Sequence, residues 1–213
     1  MRPDQTGPVA PDPFAVVIFD LGGVLADFGG VSAMRELARI DSDDEVWRRW
    51  LTCRWVRTFE GGGCSAADFA EGVVSDWGLP ISGAEFLDRF RGWLAGPFPG
   101  ADELVRAVRE VCPVGCLSNT NPVHWDGALL RWPRFFEMFD YRFLSFELGR
   151  VKPDVEIFER VAELTGLPLD RVLFLDDNLV NVEGASSAGM RAEHVRGIDE
   201  ARAALVRAGV LPR

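Results

Sequence analysis

Ala15-Val-Val-Ile-Phe-Asp20-Leu-Gly-Gly-Val-Leu25 is the stretch on which the fold turns. Five consecutive apolar residues, three of them β-branched, followed by an acid and, one residue on, two glycines, read as a strand buried on both faces. Its carboxyl end delivers Asp20 into a tight turn. Strands covered on both faces belong to parallel sheets flanked by helices, because parallel neighbours need crossover connections that lie over the sheet. Moving outward, the same signal recurs. Val114-Gly-Cys-Leu-Ser-Asn119 ends in polar residues, and Arg171-Val-Leu-Phe-Leu-Asp-Asp177 ends in two acids. Shorter strands are predicted over 141–145 and 191–195. Helices are predicted between them, over 101–111, 121–131, 153–165, 179–188 and 199–208. This alternation gives an α/β fold, a three-layer Rossmann-like parallel sheet.

Between the first strand and this rhythm, residues 30–96 carry only helical patterning. Helices are expected over 32–40, 43–58, 65–77 and 82–94, and five of the seven tryptophans fall here. The expected organisation is a core of 15–27 and 97–213, with a small all-helical cap of 28–96 inserted after the first strand. Residues 1–14, polar and proline-rich, read as a disordered lead-in. The hinges between the modules are expected near Ala26-Asp27 and Ala95-Gly96-Pro97.

Composition narrows the function. The 213 residues carry a formal charge of −10, which disfavours nucleic acid as a partner. No apolar run approaches the roughly 18 residues of a membrane span, and no secretory leader is legible, so a cytoplasmic protein is expected. The four cysteines form no metal-ligand spacing and read as small buried hydrophobes. No motif fixes the assembly, and a monomer or weak homodimer is expected. Of the 23 basic residues, 22 are arginine and only Lys152 is lysine. A compact ammonium suits a tight anionic site that a planar guanidinium does not, so Lys152 is a functional candidate.

Ligands in such sheets bind beyond the carboxyl ends of the strands. Asp20, Ser118-Asn119 and Asp176-Asp177 all end strands at that edge, and Lys152 precedes a helix there. Two or three carboxylates with a backbone carbonyl are hard oxygen donors suited to Mg²⁺. An aspartate beside Mg²⁺ can attack phosphorus and form an aspartyl-phosphate.

In order and spacing, Phe19-Asp-Leu-Gly-Gly-Val-Leu25, Leu117-Ser-Asn119, Lys152-Pro153 and Phe174-Leu-Asp-Asp-Asn178 resemble the four motifs of the haloacid dehalogenase superfamily. The helical insertion after the first motif resembles that superfamily's C1-type cap. The stretches around Asp20, Asn119 and Lys152 look closest to the α-D-glucose-1-phosphate phosphatase branch. The resemblance implies Asp20 as nucleophile and metal ligand, Gly22 as a carbonyl ligand, Asp177 as a direct ligand and Asp176 as a direct or water-mediated one. It implies Ser118 and Asn119 as phosphoryl-binding residues and Lys152 as the bridge between nucleophile and phosphate. The implied reaction is Mg²⁺-dependent hydrolysis of a small phosphorylated metabolite, with a sugar phosphate expected.

One departure stands out. The superfamily's phosphatases usually carry a second Asp two residues after the nucleophile, and this chain has Gly22 there. A cap-borne proton donor, a good leaving group or a slow reaction would follow. His124 and Glu60 are candidate substrate contacts, each balanced by a plain structural reading. Two rivals remain at this stage: a metal-independent hydrolytic dehalogenase, against which the Asp176-Asp177 pair argues, and a non-catalytic phosphometabolite-binding protein.

Overall fold

The computed structural model describes residues 14–212. The lead-in expected over 1–14 lies outside them apart from Phe14, which is buried. Five strands form one parallel sheet: β1 (Val16–Phe19), β4 (Val114–Ser118), β5 (Tyr141–Leu144), β6 (Val172–Asp176) and β7 (Arg191–His194). Their spatial order is β5-β4-β1-β6-β7, so β1 is central. It pairs with β4 through Phe19↔Cys116 and with β6 through Phe19↔Leu175. The three strands therefore end level with one another. The chain runs outward from β1 to β5 on one side, then returns to β6 and β7 on the other. The crevice at this reversal is where the ends of β1, β4 and β6 meet.

Every residue of β1, β4 and β6 is buried. Their alternate side chains feed two hydrophobic layers. Val17, Phe19, Cys116 and Leu175 face one, and Val16, Ile18, Leu117 and Phe174 face the other. Helices α6 (Ala101–Arg109), α7 (Pro122–Arg131) and α12 (Gly197–Arg207) supply residues to the first layer, and α10 (Val155–Thr165) and α11 (Leu179–Ala188) to the second. Short helices α8 (Pro133–Phe136) and α9 (Ser145–Leu148) complete the core and were not foreseen, because four residues are too few to show a period.

The insertion forms its own hydrophobic cluster from α1 (Gly30–Ala38), α2 (Asp43–Thr52), α3 (Arg54–Glu60), α4 (Ala66–Trp77) and α5 (Gly83–Phe90). Ser42, Ser65 and Ser82 begin α2, α4 and α5, each accepting a hydrogen bond from the backbone three residues on. An acid stands at each of those third positions, so the starts are fixed by local chemistry worth roughly 1 kcal/mol apiece. Two expectations need correction. The single helix predicted over 43–58 is broken at Cys53, whose ψ of 120° is extended. The insertion is also not purely helical at its base. Strands β2 (Ala26–Phe28) and β3 (Leu94–Pro97) pair antiparallel, so the two segments where the hinge is expected form one hydrogen-bonded ribbon. Three-residue and Gly/Pro-containing strands give no readable alternation.

Cys53, Cys112 and Cys116 are buried and Cys64 is half-buried. Among the described residues no helix is long and apolar enough to cross a membrane.

Candidate active site

The level ends of β1, β4 and β6 bring Asp20, Ser118 and Asp176 to one place. Lys152 enters from the loop after α9 and is itself only 1% exposed. Its ammonium donates to Asp20 Oδ1 at 2.8 Å, Asp176 Oδ2 at 2.7 Å and the Leu117 carbonyl at 3.0 Å. Three donors meet three acceptors, so the amine is fully satisfied and cannot rotate without losing a bond. Burial works against its charge, but Asp176 and Asp20 outweigh this and hold its pKa above the ordinary lysine value.

Asp176 is fully buried and spends both oxygens internally. Oδ1 accepts from the Asn178 backbone at 2.8 Å and the Asn181 amide at 3.1 Å, and Oδ2 accepts from Lys152 and Asn181. Asn178 also caps α11 through the Val180 N–H. The carboxylate of Asp177, next in the chain, takes a hydrogen bond from its own backbone. The Asp177 backbone carbonyl is held by His194 Nε2 at 2.9 Å. Burial raises the Asp177 carboxyl to about 6, with Asp176 adding to the effect and Lys152 and Arg196 opposing it. Burial likewise pushes Asp20 to about 8, against the pull of Lys152 and with a push from Asp176 and Asp177.

The carboxylates of Asp20, Asp176 and Asp177 offer oxygens within 4.8 Å of one another. Three ionised carboxylates around one ammonium leave two negative charges in a desolvated space, which a divalent cation would neutralise. All are hard oxygen donors, so the set fits Mg²⁺. Asp20 and Asp177 are the carboxylates with oxygen left to give. Gly22 lines the same cavity, in a turn whose backbone bonds run from Ala26 to the Leu21 carbonyl and from Gly23 to the Ala26 carbonyl.

The phosphoryl-binding candidates differ in their geometry. Ser118 lines the cavity beside Asp20. Asn119 lines it too, but its side chain clamps the Lys152 backbone, donating to the carbonyl at 3.0 Å and accepting from the N–H at 2.8 Å. Its carboxamide is thus committed to holding Lys152 in place. Ser145, which the sequence did not single out, does the same for Thr120, accepting from its N–H at 2.9 Å and donating to its carbonyl at 3.0 Å.

The two cap-facing candidates also separate. His124 lines the cavity but is a strut between core and insertion. Its Nε2 donates to the Phe90 carbonyl at 2.7 Å, its ring stacks on Phe90 at 4.0 Å, and Asn121 approaches Nδ1. Burial depresses its pKa to about 4, so it is neutral. Glu60, at the end of α3, faces the cavity that Asp20, Ser118 and Lys152 also line. Burial raises its carboxyl to about 7, opposed by a hydrogen bond from Trp50 and by the charges of Lys152 and Arg57.

Residues 14–189 match the family model described as haloacid dehalogenase-like hydrolase. The chain belongs to the haloacid dehalogenase-like hydrolases. Among curated members of wider kinship, a sesquiterpene phosphatase of Aspergillus oryzae is 29% identical, over 85% of this chain and 90% of its own. A D-ribitol-5-phosphate phosphatase of Bacteroides thetaiotaomicron is 26% identical, over 81% and 87%. The fold is that of a haloacid dehalogenase-family enzyme from Bacteroides thetaiotaomicron, solved with magnesium and inorganic phosphate, with a TM-score of 0.71 at 23% identity over 89% of this chain and 98% of that one. The protein is therefore a hydrolase of this family, and several of its relatives are phosphatases.

Proposed function

We propose that this hydrolase is a Mg²⁺-dependent phosphomonoesterase that forms an aspartyl-phosphate on Asp20 and acts on a small phosphorylated metabolite. The single observation that carries the reading is the cluster of three carboxylates and one ammonium at the sheet edge. Asp20, Asp177 and the Gly22 carbonyl would hold the cation. When bound, it supplies charge neutralisation for the phosphoryl oxygens and for the attacking carboxylate.

Lys152 fixes Asp20 through Oδ1, leaving Oδ2 outside the ion pair to attack phosphorus. The Asp20–phosphorus bond forms as the bond to the leaving oxygen breaks. The Ser118 hydroxyl and the Lys152 ammonium stabilise the charge on the transferring group. Water then attacks the same phosphorus, free phosphate leaves, and the Asp20 carboxylate is restored. Asn119 acts through Lys152 by holding its backbone.

The leaving alkoxide needs a proton that Gly22 cannot give. Glu60 is the cap-side acid placed to give it, and afterwards its carboxylate takes the proton of the attacking water. The helical insertion then acts as the cap, closing water out of the site and bringing the acid with it. The C1-type assignment belongs to this reading. The sugar phosphate expected from the glucose-1-phosphate phosphatase branch is one alcohol compatible with it, and the sesquiterpene and ribitol phosphate relatives span apolar and polar alcohols alike.

For Glu60→Gln, turnover of alkyl phosphates is expected to fall by about 10²–10⁴. Turnover of p-nitrophenyl phosphate, whose leaving group needs no proton, should change little. A general acid works protonated, so wild-type rates on alkyl esters should fall as pH rises through about 7, and the variant should lose that limb. An unchanged pH profile would remove Glu60 from this role.

The function itself is tested by a panel of phosphomonoesters and 2-haloacids assayed with Mg²⁺ and with EDTA. Phosphate release that stops in EDTA is expected. Halide release in EDTA would instead establish a metal-independent dehalogenase, and ligand binding without turnover would establish a non-catalytic binder.

A further inference from the structure

The alcohol side of the cavity has a chemistry of its own. The space between insertion and sheet edge is about 320 Å³, at the small end of ligand pockets, which run roughly 300–1,000 Å³. The reactive groups gather at the sheet edge. Away from them, the walls are Phe28, Trp47, Leu51, Phe90, Phe98 and Phe136, contributed by both modules.

The polar side chains that interrupt these walls are mostly engaged already. His124 gives its proton to the Phe90 carbonyl and faces Asn121 with its other nitrogen. Glu60 receives Trp50. Asn181 donates to both oxygens of Asp176, while its buried Oδ1 has no partner. Asp43 is paired with Arg35 at 3.1 Å, and Asp27 is solvent-exposed. A hexose placed here would bury several hydroxyls among rings and aliphatic carbon with few partners, which is unfavourable for each unpaired hydroxyl. A hydrocarbon skeleton would meet surfaces like itself.

We infer that the substrate is the phosphate monoester of a bulky apolar alcohol, its hydrocarbon seated among Phe28, Trp47, Leu51 and Phe90 and its phosphate at Asp20 and Ser118. This rests on the phosphomonoesterase reading and replaces the sugar expected from the sequence as its leaving group. Specificity then comes from contact area rather than hydrogen bonding, and discrimination grows with each methylene added until the cavity is full.

The test is a series of straight-chain alkyl phosphates from ethyl to octyl, beside glucose 1-phosphate and glucose 6-phosphate, all with Mg²⁺. kcat/KM is expected to rise by up to about fourfold per methylene before reaching a plateau. Both hexose phosphates should lie on the order of a hundredfold below octyl phosphate. Trp47→Gln should flatten the chain-length slope. A flat series in the wild type, or a hexose phosphate hydrolysed faster than octyl phosphate, overturns the inference and leaves the phosphatase reading intact. Should no ester be turned over, the phosphatase reading fails by itself. Calorimetry of the same series on Asp20→Asn then decides the inference: a Kd that tightens with chain length supports it, and one that does not overturns it.

Discussion

Replacing Lys152 with methionine is expected to destroy activity and to destabilise the protein increasingly as pH rises. The side chain is 1% exposed and holds two carboxylates, Asp20 at 2.8 Å and Asp176 at 2.7 Å. Methionine fills a similar volume, so the loss is chiefly one of charge and hydrogen bonds. Removing one partner from a buried ionic cluster costs about 3–5 kcal/mol, because the remaining charge has no compensation. For a chain of this length that is a fall of roughly 10 °C in Tm. The sign of the pH dependence follows from linkage. Without the ammonium, the folded-state pKa of Asp20, already raised to about 8 against the pull of Lys152, rises further above its unfolded value of about 4. Stability is then unaffected below about pH 4 and is lost as pH climbs through the raised folded value. Thermal unfolding of variant and wild type should converge near pH 4 and separate towards pH 8. Activity should drop by at least about 10²–10³, the usual effect of removing a donor aimed at developing charge. Equal melting at pH 8 would contradict the geometry of the cluster.

Gly23→Ala is the second large effect, and it acts on the metal site without replacing a metal ligand. Gly23 has φ of +74°, a conformation that disfavours a side chain by roughly 1–2 kcal/mol. A Cβ there would also lie 2.5 Å from the Asp177 carboxyl carbon. The backbone cannot easily move aside. Its N–H donates to the Ala26 carbonyl at 2.9 Å and its carbonyl accepts from Gly197 at 2.8 Å. Asp177 must therefore yield. The Mg²⁺ concentration needed for half-maximal activity is expected to rise on the order of tenfold or more. Gly22 provides the contrast, since a Cβ there meets only Phe28, at 3.8 Å. A magnesium titration of Gly23→Ala matching wild type would show that Asp177 does not bind the cation.

How far the sequence carried this account depends on the length of each signal. Val16–Phe19 and Val172–Asp176 were legible because a buried parallel strand is an uninterrupted apolar run, and the acids that close them mark the functional edge. Lys152 was legible through composition, as one lysine among many arginines. A motif gives a position but not a direction. Asn119 sits where a phosphoryl-binding residue is expected, yet its carboxamide points to the Lys152 backbone. His124 was read as near the site or on the surface. It does line the cavity, but buried against Phe90, through a contact between residues 34 apart that no local pattern encodes. Glu60 faces the cavity from α3, and the break at Cys53 that begins this helix carries no Pro or Gly to announce it. Ser145 and the β2–β3 ribbon lie in segments too short or too irregular to read.

The central claim is that Asp20 becomes covalently phosphorylated, and trapping that species tests it most directly. The enzyme would be mixed with an excess of a readily cleaved phosphate ester and Mg²⁺, quenched in acid within the turnover time, digested and analysed by mass spectrometry. The account predicts a peptide spanning Phe14–Leu25 heavier by one HPO₃ on Asp20, absent in Asp20→Asn and absent when EDTA replaces the cation. Phosphate released at the wild-type rate by Asp20→Asn, or the same mass increment found on another residue, would contradict it.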